Sequence, residues 1–117
     1  MSRYDYIYVN SSHFKGLSDE ELREIDGLEF QTKDLEREFL EYNVGEDGQL
    51  SYMDYHYELI DSEGLFKKML SRIEDGIVNS THTGVVMFYG KPYEKLYTFQ
   101  AKFTKGELKY IRLLSIV

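Results

Sequence analysis

The chain has no cysteine and no tryptophan, and its 117 residues include a single proline. Without cysteine there can be no disulfides, thiolate metal sites or cysteine nucleophiles. No apolar run is long enough for a membrane span, and "MSRYDYIYVN" lacks the apolar stretch of a secretory signal. The expectation is therefore a cytoplasmic protein that makes no membrane contact. On that expectation the glycosylation-like triplets at Asn10 and Asn79 carry no weight. There is no G-x-S-x-G elbow. H-E-x-x-H, G-x-G-x-x-G and the P-loop pattern are missing too. No repeat, low-complexity tract or linker divides the chain, so residues 1–117 read as one domain.

Tyrosine and carboxylate, by contrast, are plentiful. Eleven tyrosines and seven phenylalanines stand within a hydrophobic content of 42%, enough for one modest core. The net charge of −7 is unevenly distributed. Residues 18–63 hold sixteen acids against Arg23, Lys33 and Arg37, whereas residues 64–117 hold four acids against nine bases. Two halves of one folded unit can complement each other in this way, and an acidic surface can also meet a basic protein. Direct nucleic-acid binding by the acidic half is disfavoured, because phosphate contacts need lysine and arginine. The later lysines, Lys91, Lys95, Lys102, Lys105 and Lys109, are spread along strands and turns rather than gathered in a groove.

Periodicity predicts the elements. "YDYIYVN" alternates, so residues 4–9 read as a strand with Tyr4, Tyr6 and Tyr8 on one face. That aromatic row packs within the chain or, if the strand is an edge, meets another subunit. Ser18 followed by Glu21 is a capping box, and Gly27 suits a helix end, which predicts a helix over 19–26. Leu65, Met69 and Ile73 recur every four residues, which predicts a second helix over 63–75, ended by Gly76. "GVVMFYG" is apolar on both faces and reads as a central, two-sided strand. "KLYTFQAKF" and "ELKYIRLLSIV" flank a turn at Gly106. Their expected pairs are Phe103 with Leu108, Ala101 with Tyr110 and Tyr97 with Leu114, and the last strand is expected inside the sheet. "EFQTKDL" reads as a turn in which Thr32 or Asp34 bonds local backbone. The resulting order, β-α-β-β-α-β-β-β, is an α+β domain: a mostly antiparallel sheet of five to six strands with two helices packed on one face.

The stretch "LSYMDYHYELID" raises a question of facing. Pairing Val44 with Gln49 across "GEDG" sets Leu40, Tyr42 and Val44 on a core face with Met53, Tyr55, Tyr57 and Leu59. The other face then carries Arg37, Phe39, Glu41 and Asn43 beside Leu50, Tyr52, Asp54, His56 and Glu58. A five-residue loop reverses the relation, because strand faces alternate with period two. On the first register Tyr57→Ala should cost roughly 3–5 kcal/mol, the scale for a large buried aromatic. Tyr52→Ala should cost little.

The search for chemistry is brief. His13, His56 and His82 are the only histidines and lie far apart in the sequence. "NVGEDGQLSYMD" imitates a calcium loop in part, but Gly45 stands at a ligand position and Asp54 where a bidentate glutamate is needed. Neither a metal nor a cofactor is expected. Glu41 with Asp54 could form an acid–base pair, although an open sheet face gives little burial to shift their pKa values. The polar "NSTHTG" loop around His82 is the best alternative place for a site. What remains is an acidic, aromatic surface of Glu41, Glu46, Asp47, Tyr52, Asp54, His56 and Glu58, where tyrosine supplies rigid contact area.

The blocks "EFQTKDL", "YNVGEDGQL", "TGVVMFYG" and "YTFQAKFTKGEL", in that order over roughly residues 28–111, resemble a family of small bacteriophage and prophage proteins. The resemblance transfers no catalytic residue. It implies the context of a phage accessory gene, where small acidic proteins often inhibit host machinery such as restriction or CRISPR complexes. The expectation is a non-enzymatic acidic protein that binds a basic host protein, with a monomer preferred over a dimer. Two rival readings are a small enzyme or ligand-binding protein using the His82 loop, and an oligomeric structural or assembly protein joined through strand edges.

Overall fold

The structure, a computed structural model, describes residues 4–37, 40–61 and 68–117. It contains one mixed sheet of eight strands. They are β1 (Asp5–Val9), β2 (Phe30–Thr32), β3 (Glu41–Val44), β4 (Leu50–Asp61), β5 (Lys68–Asn79), β6 (Gly84–Gly90), β7 (Tyr97–Thr104) and β8 (Glu107–Ile116). Their order across the sheet is β5-β4-β3-β1-β2-β6-β7-β8, with β1 and β3 parallel and the other neighbours antiparallel. The one α-helix among the described residues, α1 (Asp19–Ile25), follows a 3-10 turn at Ser11–His13.

This corrects the expected five to six strands with two helices. The segment expected as a second helix, 63–75, is strand from Lys68 onward, and its residues 63–67 lie outside the described residues. The error has a simple cause: a spacing of four satisfies the period of two as well as it approximates 3.6. Strand β2 lies where the sequence suggests a turn, since three residues are too few to show a period. Its Thr32 does accept a local bond from the Asp34 amide (3.2 Å), but the hydroxyl also donates to the Met87 carbonyl in β6 (2.7 Å). Strand β1 is central rather than an edge.

The sheet curls around an aromatic core. Ile7, Val44, Leu50, Phe30, Val86, Phe88, Phe99 and Phe103 all turn inward and are buried. Phe99 stacks on Phe88 at 5.4 Å and meets Phe30 edge-on at 5.6 Å, arrangements worth about 0.5–1.5 kcal/mol each beyond area burial. The β1–β2 connection covers the concave side, with the Phe14 ring 4.8 Å from Phe99 and Ile25 of α1 buried among them. The capping box of Ser18 and Glu21 starts α1 as expected, and Gly27 takes the left-handed conformation (φ 70°) just beyond its end. Strand β6 is one-sided rather than two-sided: Val86 and Phe88 are buried, while Val85 and Met87 are exposed.

Asp5 anchors the crossover from β2 to β3. Fully buried, its carboxylate accepts the Arg37 amide (2.6 Å) and the Leu40 amide (2.9 Å), which delivers the chain into β3 beside β1. Buried backbone donors need such partners, because leaving one unpaired costs about 1–3 kcal/mol.

The two hairpin turns then meet. Gln49 bridges Glu107, the Leu50 amide donates to the Gly106 carbonyl (2.8 Å), and the Leu108 amide donates to the Gly48 carbonyl (2.9 Å). The start of β4 thus pairs with β3 on one side and with the β7–β8 turn on the other, closing the curled sheet at one end. From the far side of that turn, the Gly106 amide donates to the His82 carbonyl (2.8 Å).

Closure also sets the hairpin register. Glu46, Asp47 and Gly48 (φ 84°) form a three-residue loop, held by the Gly48 amide on the Gly45 carbonyl and the Asp47 side chain on the Gln49 amide. Val44 therefore faces Leu50, not Gln49. This is the reversed register, so Tyr52 rather than Tyr55 and Tyr57 follows Tyr42 toward the core. At the second hairpin Lys105 (φ 50°) and Gly106 (φ 82°) make the tight turn, and Phe103 faces Leu108 as expected. Beyond it two bulges shift the pairs to Ala101 with Ile111 and Tyr97 with Ile116, and β8 ends the sheet instead of lying inside it.

Gly106 admits no side chain: a Cβ built there lies 1.8 Å from the Ser80 carbonyl oxygen, and its φ is positive. Gly27 shares the positive φ but has nothing within 4 Å. Gly27→Ala should therefore cost about 1 kcal/mol, the left-handed penalty alone. Gly106→Ala should cost more than about 3 kcal/mol, because the closing hydrogen bonds part as well. Urea unfolding of both variants checks the difference, and equal losses would mean that closure adds nothing to stability.

Candidate functional site

Beyond Tyr52, among the described residues, only β5 pairs with β4, and the two run on together from Met53–Ile77 to Asp61–Lys68. The result is a two-stranded ribbon extending from the curled body, in a molecule 57 Å long and 34 Å wide. Its two faces differ. One carries Asp54, His56 and Glu58 beside Ile73 and Asp75, and the other carries Tyr55, Tyr57 and Leu59 beside Leu70, Arg72 and Ile77.

On the first face the His56 ring lies between two carboxylates. Its Nε2 is 2.9 Å from Glu58 Oε1, and its Nδ1 is 2.6 Å from Asp75 Oδ1. Asp75 reaches the ring because it is the extra residue of a bulge: Tyr55 pairs with Glu74 and Asp54 with Gly76, leaving Asp75 between. The hydrogen bond that the ring donates to Glu58, then that to Asp75, raises the imidazole pKa above its ordinary value. All three side chains are roughly half exposed, so salt screens the cluster. Asp54 accepts the Tyr55 amide at the same bulge (3.0 Å).

The second face is open and mostly apolar, with Arg72 and Glu74 its charged members. Tyr57 is 59% exposed, Leu59 66%, Leu70 65% and Ile77 65%, with Leu59 directly opposite Leu70. The Arg72 guanidinium lies 3.5 Å over the Tyr55 ring, a cation–π contact that covers part of this face. Sequence reasoning missed the apolar face because it placed Tyr57 and Leu59 in the core.

The seven surface residues expected from the sequence are thus divided among three places. Asp54, His56 and Glu58 stand together, joined by Asp75, which the sequence reading did not include. Tyr52 is on their face but half-buried, its ring 5.3 Å from that of Tyr42. Glu41 is exposed on the opposite face of β3, so it forms no acid–base pair with Asp54. Glu46 and Asp47 lie in the β3–β4 turn, where Asp47 is engaged by the Gln49 amide. Glu46 borders a cleft of about 460 Å³ with Ser12, His13, Lys15, Lys109 and Tyr110.

His82 lies at the closure rather than in an open loop. Its carbonyl accepts from Gly106, its amide donates to Ser80 Oγ (3.1 Å), and its Nε2 is buried without a hydrogen-bond partner among the described residues. Among those residues no group of His, Asp and Glu is arranged to hold a metal ion, and no helix is long and apolar enough to cross a membrane. No protein-family model, curated protein or solved structure matches the chain.

Two predictions follow from this geometry. The His56 pKa, followed by proton NMR, should fall in Glu58→Gln and in Asp75→Asn. With the folded value above the unfolded one of about 6.5, protonation of His56 favours the fold below pH 6.5, and this contribution fades as pH rises through the folded value. An unchanged titration in both variants would remove the cluster. The second concerns the tyrosines: Tyr57→Ala should change stability by no more than about 0.5 kcal/mol, the opposite of the first-register expectation, whereas Tyr52→Ala should cost more through its contact with Tyr42. Thermal unfolding of the pair checks the order.

Proposed function

We propose that this chain is a non-enzymatic binding protein whose β4–β5 ribbon engages a basic surface of another protein. On the resemblance of its sequence blocks, we place it among phage or prophage accessory proteins that inhibit host machinery handling or defending against nucleic acid. The observation that supports the binding role is the open face with Asp54, Glu58 and Asp75 around His56, on an element that reaches away from the body. Carboxylates on such a face meet lysine and arginine without the desolvation that a deep site demands, and they steer a basic partner from a distance. The His56 arrangement also suits binding better than catalysis. Both ring nitrogens are engaged by carboxylates, which favours the charged imidazolium, whereas a general base must give up that proton near neutral pH.

Affinity capture from the host, with wild-type protein and with the Asp54→Lys/Glu58→Lys variant, tests the proposal. The wild type should retain a basic protein at low salt and release it as salt rises. The variant should lose capture, because like charges at an interface cost several kcal/mol, while its fold loses about 1 kcal/mol or less. Equal capture by a folded variant would overturn the role of this face.

A further inference from the structure

The sheet has two margins, and they are built differently. Strand β8 carries two extra residues, Lys109 and Leu114, which interrupt its ladder with β7. Bulges and lysines are devices that blunt an edge against pairing. Strand β5 has no bulge along Lys68–Glu74 and a lysine only at its first position: it pairs one-for-one with Asp61–Tyr55 and stays regular until the bulge at Asp75. Its outer side therefore presents a straight row of backbone groups to which no described strand is joined. A two-stranded ribbon is marginal in water by itself, whereas three or more strands are stable. This ribbon also leaves Leu59 and Leu70 open.

We propose that a second copy of this chain covers that margin, β5 pairing antiparallel with β5 of the copy about a two-fold axis at Ser71. The choice of axis follows from backbone geometry and charge. Residues opposite each other in an antiparallel pair must turn their amides the same way, so the axis falls at a residue and not between two. An axis at Arg72 sets arginine against arginine, and one at Leu70 sets Lys68 against Arg72, pairings that like charges disfavour. An axis at Ile73 runs the ladder into the bulge at Asp75. An axis at Ser71 keeps the pairing within residues 68–74. It sets Lys68 opposite Glu74 of the second copy at both ends, with Met69 opposite Ile73 and Leu70 opposite Arg72. The two ribbons become one four-stranded sheet. Pairing along the edge leaves both faces open, so the dimer does not depend on the binding role of the acidic face. It reverses the preference for a monomer drawn from the sequence.

The absence of cysteine makes a direct test available. Directly opposed residues have Cα atoms about 4.5–5.5 Å apart, within disulfide reach. In the full chain, Ser71→Cys should therefore oxidise to a covalent dimer under a glutathione redox buffer, while Ser115→Cys on the β8 margin stays monomeric. Sedimentation of the wild type at tens of micromolar should give twice the chain mass of 13.9 kDa. Glu74→Lys should weaken association about tenfold or more, and Lys68→Glu/Glu74→Lys should restore most of it. A monomeric wild type at that concentration would overturn the proposal, as would cross-linking through Ser115→Cys but not Ser71→Cys. A dimer that Glu74→Lys leaves unweakened would also overturn it.

Discussion

The bridge between Gln49 and Glu107 joins the turns of two hairpins, and it forms because Gly106 carries no side chain. The glycine amide donates to His82, its carbonyl accepts from Leu50, and its bare Cα lets the Ser80 carbonyl lie where a Cβ would stand. Most of the body is arranged by this contact. Leu50 must turn inward to make its two backbone bonds, one to Gly106 and one from Ser80, and with Leu50 fixed, Val44 and Tyr42 of β3 follow it. The aromatic core of Phe30, Phe88, Phe99 and Phe103 then lies within a curled sheet rather than a flat one, covered by α1 and the 3-10 turn.

The same contact divides the molecule. Before residue 52, β4 is part of the body and its inward face is buried; beyond it, among the described residues, the strand has only β5 for a neighbour and both faces are open. One alternating pattern therefore serves two purposes. On the even-numbered face of β4, Leu50 is core and Tyr52 borders the core, while Asp54, His56 and Glu58 meet solvent. Hydrophobic burial governs the first half of the strand, and charge and hydrogen bonding govern the second.

This division explains which parts of the structure were legible in the sequence. Local signals held: the capping box at Ser18, the glycine after α1, and the turn at Lys105–Gly106 with its Phe103–Leu108 pair. Signals that depend on what lies alongside did not. Tyr57 and Leu59 alternate as core residues do, and nothing in their spacing shows that the strand has left the body. Met69 and Ile73 fit a helix and a strand equally well. The β3–β4 register turned on whether Gly48 would take a left-handed conformation, a one-residue matter that exchanges the faces of a strand. The grouping of Asp54, His56 and Glu58 was legible because they share one strand, whereas Asp75 joins them through a bulge that leaves no sequence period.

The crossover and the closure have a consequence for how quickly the fold assembles. Asp5 binds amides at Arg37 and Leu40, β1 pairs in parallel with β3, and Gln49 meets Glu107 across nearly half the chain. Contacts so distant along the sequence require large loops to close before they are rewarded, and topologies built from them fold slowly. The β4–β5 hairpin is local by comparison and can form early. During that interval the open leucines and the straight outer edge of β5 are present while the body is still unformed. Unpaired edges and open apolar side chains in an unfinished fold are the surfaces prone to contact with other chains, and here the ribbon carries both.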